Sequence, residues 1–329
     1  MGGRGLHQHA GGAVTAPADA DVEAHRPELL VHCYRMLGSV DDAEDVVQET
    51  MLRAWRARES YDPGRAALRT WLYKIATNAC LTALRGRARR PLPSGLGAPD
   101  DDPSGTPLVP AFDIPWLQPL PDARIEDPAG RVVRRGSLRL ALVAALQVLP
   151  ARQRAVLLLR EVLEFSAAEV ADLLDTSVPA VNSALQRARS ALSDVEELEV
   201  VEPDDRTVRA TVDRYLRAFE VADVEGLVRL LTDDAVLEMP PVPLWYRGRD
   251  AYATFMHRVY AMNGEFWRVV RLGANTQPAF AAYVRDGDGF ALHTLQILTV
   301  PAAGGVARNV VYRDPAVFAD FALPATLSS

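Results

Sequence analysis

Asn182, Ser183, Gln186, Arg187 and Arg189 lie close together in the middle of the chain. Asn, Gln and Arg are the side chains that pair with base edges or phosphates in a DNA major groove. At helical spacing they share one face, and Val181, Leu185, Ala188 and Leu192 form the opposite, core-facing one. A plain helical hairpin with a solvated polar face is the bland alternative; the Arg-x-Arg spacing and the turn chemistry described below favour DNA. A second basic group, LRGRARRP, brings Arg85, Arg87, Arg89 and Arg90 together without an acid, as phosphate binding requires. Just upstream, Tyr73 and Asn78 with the turn Tyr61–Ala67 are of the types that stack and hydrogen-bond an unpaired base. In the C-terminal third, Asp233, Asp234, Glu238, Trp245, Tyr246, His257 and His293 are the candidates for acid–base work or for lining a pocket. They show neither nucleophile–base pairing nor metal-ligand spacing. Asp233-Asp234 is expected to cap a turn and His293 to face solvent, which leaves Trp245, Tyr246 and His257 as the pocket candidates and a binding cavity favoured over an enzyme.

The elements that position these residues follow from periodicity. Pro27–Leu37 opens on a proline, carries an apolar face of Leu30, Tyr34 and Leu37, and stops at Gly38. Asp41 and Glu44 resemble a capping box for the next helix, with Val46, Val47, Thr50, Met51, Ala54 and Trp55 on its buried stripe. After the turn Tyr61-Asp62-Pro63-Gly64, a third helix is expected to bury Leu68, Trp71, Leu72, Ile75, Ala76, Ala79 and Ala83. Its exposed face would show Arg69, Tyr73, Lys74, Thr77, Asn78 and Thr82. Further on, Ser166-Ala167-Ala168-Glu169 is a capping box opening a short helix, and Ser177 can cap the helix that follows. Two helices around a three-residue polar turn make a helix-turn-helix.

Composition divides the chain. Residues 1–23 read as a flexible tail, in which His7 and His9 carry no metal expectation. Residues 24–93 are a helical domain, and residues 94–128 a Pro/Gly/Asp/Ser-rich linker too long to lack a purpose. Inside the linker, IPWLQPLPD is an apolar island whose Trp116, Leu117 and Pro119 read as a docking peptide. Residues 129–198 are a second helical domain, residues 199–205 part of an acidic hinge, and residues 206–329 an α+β domain. This last domain has two helices, then strands near 235–239, 267–274, 279–285, 290–300 and 306–312 in a curved antiparallel sheet. The chain is thus multidomain, with two all-α domains and one α+β domain.

Charge sets a constraint. The net charge is −7, and between Ala24 and Glu199 22 Arg and Lys stand against 24 Asp and Glu. Such a chain has local phosphate-binding patches but no attractive field of its own, so another protein must position it on DNA. Cys33 and Cys80 lack metal-ligand or disulfide spacing and read as reduced core thiols. The N-terminus has no secretory h-region and the chain no apolar run that spans a membrane, so a cytoplasmic protein is expected.

DAEDVVQETMLRAW (Asp42–Trp55) with RTWLYKIATNACLTALRGRARR (Arg69–Arg90) resembles conserved region 2 of the extracytoplasmic-function (ECF) sigma factors of the sigma-70 family. LPARQRAVLLLREVLEFSAAEVADLL with VPAVNSALQRARSAL resembles region 4. The resemblance implies core RNA polymerase as partner, through its β′ clamp helices and β flap, and promoter DNA. Asp45, Gln48 and Glu49 would meet the clamp helices. Tyr61, Arg65, Arg69, Lys74 and Asn78, followed by Arg85, Arg87, Arg89 and Arg90, would serve the −10 element. Asn182, Ser183, Gln186, Arg187 and Arg189 would read the −35 element. Many ECF factors carry basic residues where this chain has Asn182 and Ala184, so the −35 sequence is not transferable.

YLRAFEVADVEGLVRLLTDDAVLEMPP (Tyr215–Pro241) and RDPAVFADFALP resemble the SnoaL-like branch of the NTF2-like superfamily, which are cones around a pocket. ECF factors with this appendage form subgroups without a membrane anti-sigma partner, and the resemblance implies control in cis. The island resembles their Trp-Leu-Pro linker motif, whereas Asp286–Phe290 matches a DGGGK-type motif only in part. No cofactor or metal is implied, and a small molecule or a segment of the chain itself is the expected occupant of the pocket. A ligand-responsive one-component regulator is the alternative, under which the helix Asp42–Trp55 has no role; a SnoaL-type enzyme is the third reading.

Overall fold

The computed structural model describes residues 17–125, 138–193 and 206–328. His7, His9, most of the expected tail and the hinge 199–205 lie outside the described residues. A short helix α1 (Asp19–Glu23) occupies the end of the stretch expected to be tail.

The first domain holds α2 (Arg26–Leu37), α3 (Val40–Ala57) and α4 (Leu68–Ala83). Pro27 starts α2 and Gly38, with φ of 69°, ends it. The expected single apolar face of α2 is a correction: every residue from Glu28 to Leu37 is buried. The reason is non-local, since α2 packs against α3, α4 and both opening helices of the second helical domain. The start of α3 is also corrected: the cap is Ser39, whose hydroxyl accepts from the Asp42 N–H at 3.3 Å. Its stripe from Val46 to Ala54 is buried as expected and extends back to Ala43 and Val40, but Trp55 is 54% exposed. On α4, Leu72, Ala76 and Ala79 are buried as expected, whereas Tyr73 and Thr77, expected outside, are buried too. Cys33 and Cys80 are both fully buried, and burial pushes the Cys80 thiol well up.

The second helical domain comprises α5 (Leu140–Val148), α6 (Ala151–Leu157) running into a π turn Leu158–Val162, α7 (Ala167–Leu173) and α8 (Val178–Ala191). The reciprocal capping box of Ser166 and Glu169 opens α7, and Ser177 caps α8 by accepting from the Ala180 N–H. α5 leaves its own hairpin and joins the core of the first domain.

The third domain starts with α9 (Arg206–Glu220) and α10 (Val224–Val228). Strands β1 (Leu231–Glu238) and β2 (Trp245–Arg247) precede α11 (Arg249–Asn263). Strands β3 (Trp267–Ala274), β4 (Gln277–Asp286), β5 (Gly289–Thr299) and β6 (Val306–Tyr312), then α12 (Pro315–Asp320) and β7 (Thr326–Leu327), complete it. The order is β2-β1-β6-β5-β4-β3, with β7 on β5. β3 to β6 form the expected antiparallel meander, but β1 runs parallel to β6, so the sheet is mixed. The helix α11 and strand β2 are absent from the sequence reading, although Tyr252, Phe255, Met256 and Tyr260 carry helical spacing and are buried.

Strand alternation gives this sheet two dry faces. Leu298 on β5 joins the core inside the cone with Tyr215, Phe219 and Phe280. Leu295, Ile297, Val310 and Tyr312 point the other way and merge with the core shared by the two helical domains. That shared core also takes Leu117 and Leu120 of the linker, both fully buried. The island Ile114–Leu120 therefore docks as expected, and its partner surface belongs to the same chain.

Arg154 shows how tightly the helical domains are joined. Buried without a carboxylate, its guanidinium donates to the Met36 carbonyl of α2, to Gln147 Oε1 at 2.7 Å and to the Gln147 and Leu149 carbonyls at 3.0 and 3.1 Å. Burial lowers its pKa to about 10. Arg154→Leu strands these acceptors, and urea denaturation followed by circular dichroism is expected to show a loss of about 2–4 kcal/mol. An unchanged midpoint contradicts this account of the joint.

Candidate nucleic-acid and polymerase interface

Asp45, Gln48 and Glu49 lie exposed on α3, and Glu49 pairs with Arg53 at 2.5 Å. One turn further along the same face, Leu52 and Trp55 are 49% and 54% exposed, with the Arg58 guanidinium 4.7 Å above the Trp55 ring. The sequence reading missed this apolar pair. Their spacing from Gln48 was the available signal, and large exposed apolar side chains beside acids mark a docking face.

The residues expected to serve the −10 element are split. Arg65, Arg85, Arg87 and Arg89 are exposed. Tyr61 is not an open stacking platform: it is buried, tilted against Trp71 at 5.1 Å, and its hydroxyl donates to the Ala66 carbonyl. Tyr73 is buried as well and donates to Glu28 at 3.1 Å. Arg69 donates to the same carboxylate at 3.0 Å and lies over both Tyr73 (4.9 Å) and Phe165 (5.2 Å). Burial alone would raise the Glu28 pKa, but hydrogen bonds from His25 and Arg69 outweigh it and hold the carboxyl below its usual range. Arg87 and Arg90 act in the same way on Asp42, each at 2.8 Å, against the effect of burial.

Phe165 belongs to the second helical domain, and so do the partners of Lys74 and one of the two partners of Asn78, the other being the Lys74 carbonyl of its own helix at 2.9 Å. Lys74 Nζ donates to the Asp172 carbonyl at 2.8 Å and to Asp175 Oδ1 at 2.9 Å. Asn78 Nδ2 reaches the Leu173 carbonyl at 3.4 Å. The C-terminal end of α7 thus lies across the face of α4 that the sequence assigns to unpaired DNA. Tyr73 itself is buried between His32 and Glu28 of α2 and Phe165.

The face of α8 is open, with Asn182, Ser183, Gln186, Arg187 and Arg189 all exposed. Arg187 donates to Ser183 Oγ and Arg189 to Glu161, each at 2.6 Å. Ala184 packs inward, so a longer side chain there would disturb the hairpin before it met a phosphate.

The linker straps the cone before it enters the shared core. Trp245 Nε1 donates to the Gly97 carbonyl at 3.0 Å, Arg258 to that of Thr106 at 2.9 Å, and the Ala111 N–H to that of Pro241 at 2.8 Å. Trp116 Nε1 donates to the Ala111 carbonyl, the Leu117 N–H to that of Pro91 and the Gln118 N–H to that of Gly38. Pro119 is buried beside them.

Inside the cone lies a cavity of 130 Å³ walled by Phe219, Leu237, Met239, Phe255, Trp267, His293 and Asn309, with Leu108 and Pro110 of the linker against it. Trp245, Tyr246 and His257 do not line it, which corrects the expected pocket. Trp245 holds the linker, Tyr246 is packed in the core on Phe255, and His257 is exposed on α11. His293 does not face solvent as expected but joins the cavity wall. Asp233 and Asp234 sit on β1, where Asp233 pairs with Arg249 at 2.8 Å and Asp234 accepts from Thr232 at 3.0 Å. Glu238 is fully buried, pairs with Arg308 and accepts from the Ser94 N–H. Among the described residues, no three of His, Cys, Asp and Glu converge as metal ligands, and no helix is long and apolar enough to cross a membrane.

Known protein families match three successive stretches of the chain. Residues 22–90 match the family model of sigma-70 region 2, residues 139–192 that of sigma-70 region 4, and residues 212–315 that of the SnoaL-like domain. The chain belongs to the ECF RNA polymerase sigma factors, and its function is promoter-directed initiation of transcription. It is 50% identical over 317 residues to the ECF RNA polymerase sigma factor SigG of Mycobacterium tuberculosis, covering 94% of this chain and 84% of that one. It is 30% identical over 244 residues to SigJ of the same organism, covering 72% of this chain and 71% of SigJ. The crystal structure of M. tuberculosis SigJ superposes with a TM-score of 0.63 at 25% identity, covering 92% of this chain and 99% of that one.

Magnitudes decide what holds region 4 on region 2. The Lys74–Asp175 pair is exposed, with side chains 42% and 76% accessible, so it contributes little. A double-mutant cycle with Lys74→Ala and Asp175→Ala, read by urea unfolding of the full chain, is expected to give a coupling below about 1 kcal/mol. A larger coupling contradicts closure by packing around Phe165 and the shared core.

Proposed function

We propose that this structure is the self-inhibited form of the sigma factor, in which the SnoaL-like domain holds regions 2 and 4 in a closed pair. The observation that carries the reading is the occupation of Lys74 and Asn78 by Asp172, Leu173 and Asp175. A promoter strand can bind those groups only by displacing the end of α7 from them. The SnoaL-like domain supplies the clasp. At the β3–β4 turn, Asn275 donates to the Tyr34 hydroxyl of region 2 and to the Leu138 carbonyl at the edge of region 4, and accepts from the Leu120 N–H of the linker. Its neighbour Gln277 accepts from the Leu140 N–H at 2.8 Å, and Tyr312 donates to the Leu117 carbonyl at 2.9 Å.

In this reading Asp45, Gln48 and Glu49, with Leu52 and Trp55, form the docking face for the β′ clamp helices, and region 4 meets the β flap. In the opened protein Arg65, Arg69, Lys74 and Asn78 with Arg85, Arg87, Arg89 and Arg90 serve the −10 element, and Tyr61 shapes the turn without stacking on a base. The open face of α8 reads the −35 element. The protein acts in the cytoplasm with polymerase, and the cone is a regulatory and binding module without catalysis. The exposed α3 face favours this over a polymerase-independent repressor, which would leave that face without a use.

The test is promoter-dependent run-off transcription with core polymerase. While the Tyr34 hydroxyl keeps its bond to the Gln118 carbonyl, Asn275→Ala leaves the Leu120 N–H and the Leu138 carbonyl without this partner, at about 1–3 kcal/mol for each orphaned buried group. It is expected to raise transcription by the full chain at least severalfold, while adding Asp45→Ala and Gln48→Ala abolishes it. Unchanged or lower transcription from a folded Asn275→Ala protein overturns self-inhibition.

A further inference from the structure

We propose that Val178, in the first turn of α8, is a specificity-determining residue that recognises the 5-methyl group of a thymine in the −35 element. The inference rests on the reading of α8 as the −35 reader and adds a contact that reading does not contain. The basic residues set the frame. Arg187 and Arg189 stand in the C-terminal half of α8, where Arg187 donates to Ser183 Oγ and Arg189 to Glu161, each at 2.6 Å. At a rise of about 1.5 Å per residue, Arg187 lies about 13 Å along the axis from Val178, close to the width of a major groove. A recognition helix enters the groove with its N-terminal residues against the base edges. The arginines then fall at the phosphate rim, and the first two turns carry the reading.

The chemistry of those turns decides what is read. Val178, Pro179 and Ala180 follow one another and are all exposed, and the side chain of Val178 is large, apolar and 39% accessible. This tip carries no charge and few donors. Pro179 has no N–H, and the Ala180 N–H is directed to the Ser177 hydroxyl at 3.4 Å. A phosphate finds little to hold there, whereas an apolar group does. In the major groove that group is the 5-methyl of thymine.

Asn182 lies one turn beyond Val178 on the same side of the helix and is exposed with it. Its amide suits the N6 and N7 of an adenine. The two side chains therefore act on neighbouring base pairs, Val178 on a thymine and Asn182 on an adenine. A single exposed valine on a surface helix needs no explanation. Here it extends the polar reading face of the helix-turn-helix in a stretch that matches sigma-70 region 4.

The experiment uses holoenzyme assembled from core polymerase and the full chain. Fragments randomised over the −10 and −35 elements are selected for binding, and each thymine of the selected −35 sequence is then replaced singly by deoxyuridine. That base keeps every hydrogen-bonding group of thymine and lacks only the methyl. At one position the wild-type holoenzyme is expected to bind about three- to fivefold more weakly, the worth of one buried methyl group. Val178→Ala is expected to bind the thymine promoter more weakly by a similar factor and to be indifferent to the replacement, whereas Val178→Ile stays sensitive to it. Tolerance of deoxyuridine at every position, a selected element without thymine, or an equal loss in Val178→Ala overturns the contact. Failure of the underlying reading of α8 shows separately, as a selected −35 sequence that neither Asn182→Ala nor Arg187→Ala alters.

Discussion

The amide of Asn275 is the contact on which the closed arrangement depends. It sits at the tip of the β3–β4 turn, is fully buried, and has φ of 56°, a left-handed conformation that Asn tolerates better than most residues. Its Nδ2 bonds to Tyr34 at 2.8 Å and to the Leu138 carbonyl at 2.7 Å, its Oδ1 accepts from the Leu120 N–H, and its own N–H returns to the Leu120 carbonyl. One side chain thus joins region 2, the linker and the edge of region 4. Opening these contacts would leave the Leu120 N–H and the Leu138 carbonyl dry, while the Tyr34 hydroxyl keeps the Gln118 carbonyl.

Around that point the energetics are those of a core. The outer face of the sheet presents Leu295, Ile297, Val310 and Tyr312 to helices of both sigma regions, with Leu117 and Leu120 filling the seam. Ion pairs at the rim, such as Lys74 with Asp175, set the fit more than they hold it. A closed state of this kind yields only to a partner that binds the open state much better. In the proposed reading core polymerase, meeting the exposed face of α3 and separating the two regions over promoter DNA, is such a partner. The net charge of −7 fits this dependence, because the chain has no field that would draw it onto DNA alone.

What the sequence made legible was local. The capping box at Ser166 and Glu169, the cap at Ser177 and the polar face of α8 are short-range patterns, and each stands where the periodicity put it. The apolar island around Trp116 was legible because an exposed Trp-Leu pair needs a partner surface. Long-range packing was not. Tyr73 and Thr77 are buried because α2 covers them, through His32 and Glu28, with Phe165 of the second helical domain closing over Tyr73. α2 shows no single stripe because it is packed on all sides. The pocket residues were misassigned for a related reason. Which side chains point into a cone depends on strand register and on the parallel pairing of β1 with β6, and one sequence shows neither. Asn309 accordingly came forward as a cavity residue only with the fold, which also turned His293, expected to face solvent, onto the wall.

Closure of regions 2 and 4 on the SnoaL-like domain is most directly tested by pulsed dipolar spectroscopy between spin labels at Arg53 on α3 and Ser190 on α8, with and without core polymerase. The free full-length chain should give one narrow, short distance distribution, replaced by a clearly longer one in the polymerase complex. A broad distribution in the free chain, or the same distance in both states, would contradict a closed resting form.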